Sequence, residues 1–444
     1  MKKYLFGTLF LIVVLAGTSF AAKVTCSTVS AYYVDGSVAS SGNGRSLATA
    51  FKTIQEAANV VTAGNVVLVY PGTYNERVVI TRSGVSGNKI TFESMPRREA
   101  TVNGGFKIDG RYIRVEGFSV TIGYKENAVE IKGDYAEVVD NYFFNTRYKA
   151  IRGHLGTKPK SAYIANNHIY HSQTGIVVEG ESWLVENNEV ERLYDYDYDN
   201  SDCDYTRAFG SNHIIRNNYF HGSRIGEVGG AHVDGLQFWN NNDDNTHHLR
   251  NLVFEGNIIM DFHQGIIIED HHHRHVSNII IRNNVFIGGE LGNVYGLGGY
   301  GIYDTEGGID GLNVLHNVFT DIGLIGVSST PVVGPCASTG PASTGIISNN
   351  IFYNMDGREF GSTAVEMANN NILKTQNPLF VNPSIPLGAD GIPSTSDDGF
   401  RLRSGSPAIN TGIDVGVSTD ILGNSRIGAP DAGAYEYVSL WCGS

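Results

Sequence analysis

Two short stretches carry the residue types that could do chemistry. The first is the acidic run Asp195, Asp197, Asp199, Asp202 and Asp204, followed by Arg207; the second is His232-Val233-Asp234 with Gln237 and Trp239. Asp204 and Asp234 are 30 residues apart, as are Arg207 and Gln237. That shared spacing reads as one turn of a repeat, which stacks Asp234 beside Asp204. Clustered carboxylates with no thiol pattern suit a hard cation, so Asp202, Asp204 and Asp234 are the candidate ligands for Ca²⁺. The spacing is not that of an EF-hand loop, and a solvated acidic loop is the competing reading; for Asp390, Asp397 and Asp398 the solvated loop is preferred. Ten of the 14 histidines fall between residues 205 and 282. His232, two residues before Asp234, is the candidate for proton transfer near neutral pH. His263, at the comparable place before Gly265, is assigned to substrate contact. His271, His272, His273 and His275 are read as a solvated loop edge rather than a transition-metal site.

The elements that must position these residues come from the repeat itself. Asn-rich pairs recur as Asp140-Asn141, Asn166-Asn167, Asn187-Asn188, Asn217-Asn218, Gly256-Asn257, Asn283-Asn284, His316-Asn317, Asn349-Asn350 and Asn369-Asn370. The shorter steps between them, 20 to 27 residues, match one coil of a parallel β-helix, and the longer ones carry insertions. Asn tolerates a left-handed bend, and stacked Asn side chains can hydrogen-bond from coil to coil. A second motif, Gly-Ile or similar, marks another strand at Gly175, Gly235, Gly265, Gly301 and Gly326, with Tyr205-Thr206 in the same register. Alternation along that strand turns Ile176, Thr206, Leu236, Ile266 and Ile302 inward. Val177, Arg207, Gln237, Ile267 and Tyr303 then form one outward column, and Glu179, Phe209, Trp239, Glu269 and Thr305 the next. Gln237, Glu269 and Tyr303 are therefore candidate substrate contacts. Phe209 and Trp239 form a candidate flat platform for sugar rings, unless loop residues cover them as a local core. Long insertions before and after this strand would wall a groove. Upstream, Thr53 and Glu56 make a capping box for a short helix that would close the open end of the solenoid.

The segments Tyr32-Tyr33-Val34-Asp35-Gly36, Ala50–Ala57, Tyr70-Pro71-Gly72-Thr73-Tyr74 and Ile90-Thr91-Phe92 resemble the N-terminal part of secreted right-handed parallel β-helix proteins, a group that includes polysaccharide lyases and alginate epimerases. Asn377-Pro378-Leu379-Phe380, Ser406-Pro407-Ala408-Ile409-Asn410 and Asp431–Glu436 resemble the C-terminal segment common in that group. The resemblance implies an all-β fold, a right-handed parallel β-helix of about ten coils with an N-terminal helical cap and an irregular C-terminal segment. With the groove, it implies cleavage of an acidic, uronate-containing polysaccharide by β-elimination, with Arg207, His232 and Asp234 as catalytic residues. Two other readings stay open: a glycoside hydrolase using Asp234 with Asp204 or Glu269, and a non-catalytic glycan-binding protein or adhesin. No alginate-epimerase Asp-Pro-His motif is present.

The 444 residues divide into a signal peptide (1–21), an N-terminal strand and capping helix (22–75), the β-helix (76–373) and a C-terminal segment (374–444). Lys2 and Lys3 precede the apolar run Tyr4–Ala16, which is short of the roughly 20 residues a spanning helix needs. Export of a monomer, secreted or periplasmic and not membrane-bound after cleavage, is expected. Export permits disulfides, and Cys26, Cys203, Cys336 and Cys442 allow three full pairings; Cys203 and Cys336, several coils apart, are not expected to join each other. A formal charge of −13 argues against nucleic acid as a partner. An extended polysaccharide is the expected partner, its own charge met by a cation or a local cluster of basic residues.

Overall fold

The computed structural model describes residues 30–197, 202–240, 247–271, 275–293, 299–329, 343–361 and 368–438. The leader, Cys26, Cys336, Cys442, Asp199, His272 and His273 lie outside the described residues.

The capping box forms as the sequence implies. The Thr53 hydroxyl accepts from the Glu56 amide (3.2 Å) and the Glu56 carboxylate accepts from the Thr53 amide (2.9 Å), opening the helix Ile54–Val60. Glu76 adds a second cap, taking the amides of Ile54 (2.8 Å) and Gln55 (2.9 Å). Ile54, Ala57 and Ala58 are buried at the end of the core.

From Ala31 to Asn369 the described chain is a stack of three-stranded coils. One coil consists of Leu184–Glu186, Glu189–Glu191 and Thr206–Ser211; the next places Ile214–Arg216, Tyr219–His221 and Asp234–Asn240 in parallel register beside them. These three strands define a first, second and third face. The first-face ladder runs unbroken from Ala31–Val34 to Ala368–Asn369, so stacking begins well before residue 76. The N-terminal strand is itself the first rung of this ladder.

The Asn pairs divide two tasks. The first member of each pair takes the left-handed bend between the first and second faces, with φ of 56° at Asn166 and Asn187 and 54° at Asn217. The second member points inward and builds a ladder. Asn188 Nδ2 donates to Asn218 Oδ1 (3.0 Å), Asn218 to Asn257 (3.0 Å), Asn257 to Asn284 (3.1 Å) and Asn284 to Asn317 (3.0 Å). Each amide also donates to a backbone carbonyl of the preceding coil, so these buried polar groups are satisfied. The last rung differs from expectation: Asn370 takes the bend (φ 48°) and Asn371 joins the ladder, accepting from Asn350 (3.0 Å).

The C-terminal segment covers the far end of the second face. Phe380, Phe400, Leu402 and Tyr435 pack with Ile258, Val285, Val318 and Ile351 in a second apolar core. Buried Arg426 anchors it through Glu436 (2.8 Å) and Asn283 (3.1 Å). Among the described residues, no helix is long and apolar enough to cross a membrane.

Candidate active-site cleft on the third face

Register on the third face follows the sequence columns. Val177 pairs with Arg207, Arg207 with Gln237, Gln237 with Ile267 and Ile267 with Tyr303. An additional outward column lies just before the glycine motif. Lys149 pairs with Thr174; Asp234 pairs with Gln264, and Gln264 with Tyr300. Backbone bonds from Gly175 to the Asp204 carbonyl (2.9 Å) and from Tyr205 to the Asp234 carbonyl (2.9 Å) place both aspartates in that column. The glycines are needed for close stacking: a Cβ on Gly265 would press on the Gly301 carbonyl oxygen and lie 2.7 Å from the Phe286 ring.

The structure brings Asp202, Asp204, Arg207, Asp234, Gln237 and Trp239 onto adjoining positions. Arg207 Nε pairs with Asp204 Oδ2, its Nη2 donates to the Asp202 carbonyl (3.2 Å), and its guanidinium lies 5.0 Å from the Trp239 ring centre. Gln237 Nε2 donates to Asp202 Oδ2 (3.1 Å). Asp204 and Asp234 are both fully buried. Among the described residues, neither oxygen of Asp234 has a hydrogen-bond partner, nor has Oδ1 of Asp204. Burial raises the Asp204 carboxyl to about 6 despite Arg207. Burial, with Asp204 beside it, holds Asp234 well above the usual carboxylate range. Two adjacent buried carboxyls with orphaned oxygens are a donor set that fits a hard cation or a shared proton. The ligand oxygens of Asp202, Asp204 and Asp234 do not, however, all converge to within 4.8 Å; Asp204 Oδ2 is paired with Arg207 and Asp202 Oδ2 with Gln237.

Next to this cluster opens a cleft of about 380 Å³ lined by Lys125, Tyr148, Lys149, Gln173, Thr174, Asp202 and Arg207. Lys149 is buried, with Nζ 3.5 Å from the centre of the Tyr148 ring. Burial first, then the charges of Arg207 and Arg152, lower its ammonium to about 7. Sequence reasoning missed it. The strand Tyr142–Gly153 slips register between Thr146 and Lys149, and Ala150-Ile151 stands where the next coil has Gly175-Ile176. Aligning that pair would have exposed the lysine.

Several expected site residues sit elsewhere or serve differently. Phe209 is 3% exposed, sealed by Trp239 edge-on (4.7 Å between centres), Phe238 (5.8 Å) and His247 (4.9 Å). It belongs to a local core, not to a sugar platform, because cross-strand neighbours and the following loop cover it. Half-buried Trp239 instead backs Arg207. His263 is 1% exposed, and its Nδ1 accepts the Val233 amide (3.0 Å), so it holds backbone and cannot touch a polymer. Burial lowers it to about 4. His232 does not line the cleft; its carbonyl accepts the Cys203 amide (2.8 Å) and its ring lies 6.2 Å from that of His263. Gln237 is buried and orients Asp202. Glu269 is partly buried, and burial raises its carboxyl. Tyr303 stacks on Tyr300 at 4.2 Å and 8°, both partly exposed, which moves the aromatic surface three coils along the face from Arg207. The acidic loop is not merely solvated: Asp195 is buried, and Asp197 pairs with Arg147 (2.6 Å) and Lys125 (3.1 Å). His271 goes to Glu306 (3.1 Å) and His275 to Asp270 (3.1 Å). Exposed His271 agrees with a solvated loop edge, whereas His275 does not: it is buried against the buried Asp270 carboxylate.

Residues 153–330 match the family described as right handed beta helix region. No curated protein matches the chain. Among solved structures, the XylC complex with xylose aligns over 92% of this chain and 98% of its own at 11% identity, with a TM-score of 0.58. Pectate lyase Pel9A aligns over 92% and 96% at 18% identity, with a TM-score of 0.44. The PL6 family polysaccharide lyase Pedsa3628 from Pseudopedobacter saltans aligns over 69% and 75% at 17% identity, with a TM-score of 0.45. With the ladder described above, the family match and the XylC likeness establish a right-handed parallel β-helix.

Proposed function

We propose that the third face binds an extended, uronate-containing polysaccharide and cleaves it by β-elimination. The observation that carries this reading is Lys149, an amine held near pKa 7 in an open cleft beside Arg207 and two buried carboxyls. A lysine so lowered is a competent general base at neutral pH. Lys149 removes the proton on the carbon next to the uronate carboxylate. Arg207, charged at every working pH, binds that carboxylate and neutralises the charge that grows on it. The electron pair forms a carbon–carbon double bond as the glycosidic carbon–oxygen bond on the neighbouring carbon breaks, and the departing oxygen takes a proton from water. If a hard divalent cation binds, Asp202, Asp204 and Asp234 are the residues that would hold it, and it would supply further charge neutralisation.

Lys125 and Arg207 bring positive charge to this cleft of an acidic protein, which favours an anionic polymer despite the overall charge of −13. The stacked Tyr300 and Tyr303 rings, three coils on and roughly 14 Å away, offer a flat surface for a further sugar. Export on the 1–21 leader would bring the protein to such polymers. The test is incubation with a panel of uronate polysaccharides, reading both reducing ends and the ultraviolet absorbance of an unsaturated product. Both signals together support elimination. Reducing ends without absorbance would replace it with hydrolysis on Asp234 with Asp204 or Glu269. Binding without either product would leave a glycan-binding protein.

A further inference from the structure

The second face carries a cluster that the proposed activity does not use. His168 pairs in register with Glu189 and Glu189 with Tyr219; one step along, Tyr170 pairs with Glu191 and Glu191 with His221. Period-two alternation turns all six outward, on three successive coils. His168 Nε2 lies 3.0 Å from Glu191 Oε2 and 3.8 Å from Glu189 Oε2, and the three ligand atoms all fall within 4.8 Å of one another. His221 Nε2 meets the other oxygen of Glu189 at 3.0 Å. Tyr219 stacks on the His221 ring (3.8 Å, 9°), and Tyr142 packs on the His168 ring (5.2 Å).

We propose that His168, Glu189 and Glu191 form a site for a divalent transition metal such as Zn²⁺, with His221 orienting Glu189 from outside the ligand set. One imidazole and two carboxylates are a ligand set that zinc takes, with a fourth position left open. Metal–ligand bonds of about 2.0–2.1 Å in a tetrahedron put neighbouring ligand atoms roughly 3.3–3.4 Å apart. The observed 3.0 and 3.8 Å bracket that value, so small rotamer changes suffice. The partner hydrogen bond from His221 is the support that metal-ligating side chains ordinarily have. The open position faces solvent, and Glu189 also borders a cleft of about 610 Å³ formed with the C-terminal residues Gly391–Ser394. Because the ligands come from two coils and their support from a third, the metal would staple the stack.

The experiment is calorimetric titration of Zn²⁺ alone into untagged, chelator-treated protein, with thermal unfolding read in parallel. One bound zinc and a raised Tm are expected. His168→Ala and the near-isosteric Glu191→Gln should each abolish this event. His221→Ala should weaken it roughly 10- to 100-fold, as loss of an outer partner does. Asp234→Ala and His271→Ala should leave it unchanged. No zinc binding by the wild type overturns the proposal. So does binding that survives both His168→Ala and Glu191→Gln, or that is lost only in Asp234→Ala or His271→Ala.

Discussion

Asp234 stands one coil beyond Asp204 in the same outward column; both are fully buried, and only Asp204 is paired with a cation, Arg207. A second buried carboxyl with no partner is costly unless protonated or bound to a cation. Calorimetric titration of Ca²⁺ should therefore show binding by wild type that Asp234→Ala removes. Asp195→Ala, whose side chain lies outside the Asp204–Asp234 pair, should bind Ca²⁺ nearly as well as wild type. Equal heats in wild type and Asp234→Ala would remove the cation from the site.

The same pair predicts a stability trade. Asp204 and Asp234 hold protons more tightly folded than unfolded, since burial raises both. Over the range between the unfolded carboxyl pKa near 4 and about 6, the native state binds more protons, so stability falls as pH rises. In chelator at pH 8, Asp234→Asn should raise Tm while removing any Tm gain from Ca²⁺. A lowered Tm in chelator would show that the charge is compensated.

Lys149 sets the expected pH profile. As a base it must be neutral, so kcat/KM should rise with pH and level off above about 7. Lys149→Met should lower kcat by about 10²–10⁴, the usual size of a general-base contribution. An unchanged profile in that variant would assign the base elsewhere.

Lys149 also links to stability with the opposite sign from the aspartates. Its ammonium is lowered from 10.5 unfolded to about 7 folded, so between those values the unfolded chain binds the extra proton and stability rises with pH. Lys149→Met should raise Tm at pH 6, and the gain should shrink as pH climbs toward 10. Unfolding midpoints across that range measure it.

The Asn ladder should be the stiffest part of the rod. Asn218→Ala would take away the acceptor of the Asn188 backbone amide (3.0 Å) and the side-chain donor to the Val185 carbonyl (3.1 Å), and at about 1–3 kcal/mol for each buried group left unpaired it should cost roughly 2–6 kcal/mol. Asn371→Ala, at the exposed end of the ladder, should cost less. Urea midpoints of the two variants give the comparison.

What the sequence determined alone was register. In a parallel stack, column membership is a matter of counting, and the 30-residue interval correctly puts Arg207 beside Gln237. The Asn pairs announced the bend and the ladder because Asn tolerates the left-handed bend, where Asp140, Gly256 and His316 also serve, and because the ladder needs a side chain that both donates and accepts. Burial was not legible in that way. Phe209 and Trp239 read as one outward column, yet Phe209 is closed over by His247 from a loop seven residues past Asn240, while Trp239 keeps a partly exposed edge. Lys149 escaped because a bulge breaks the count within its strand. Its pKa escaped because it depends on exclusion of water, on Arg207 two coils on and on Arg152 in its own strand. Periodicity is one-dimensional and survives in the sequence; solvent access and the field at a side chain are set by which coils and loops close around it, and only the folded stack decides them.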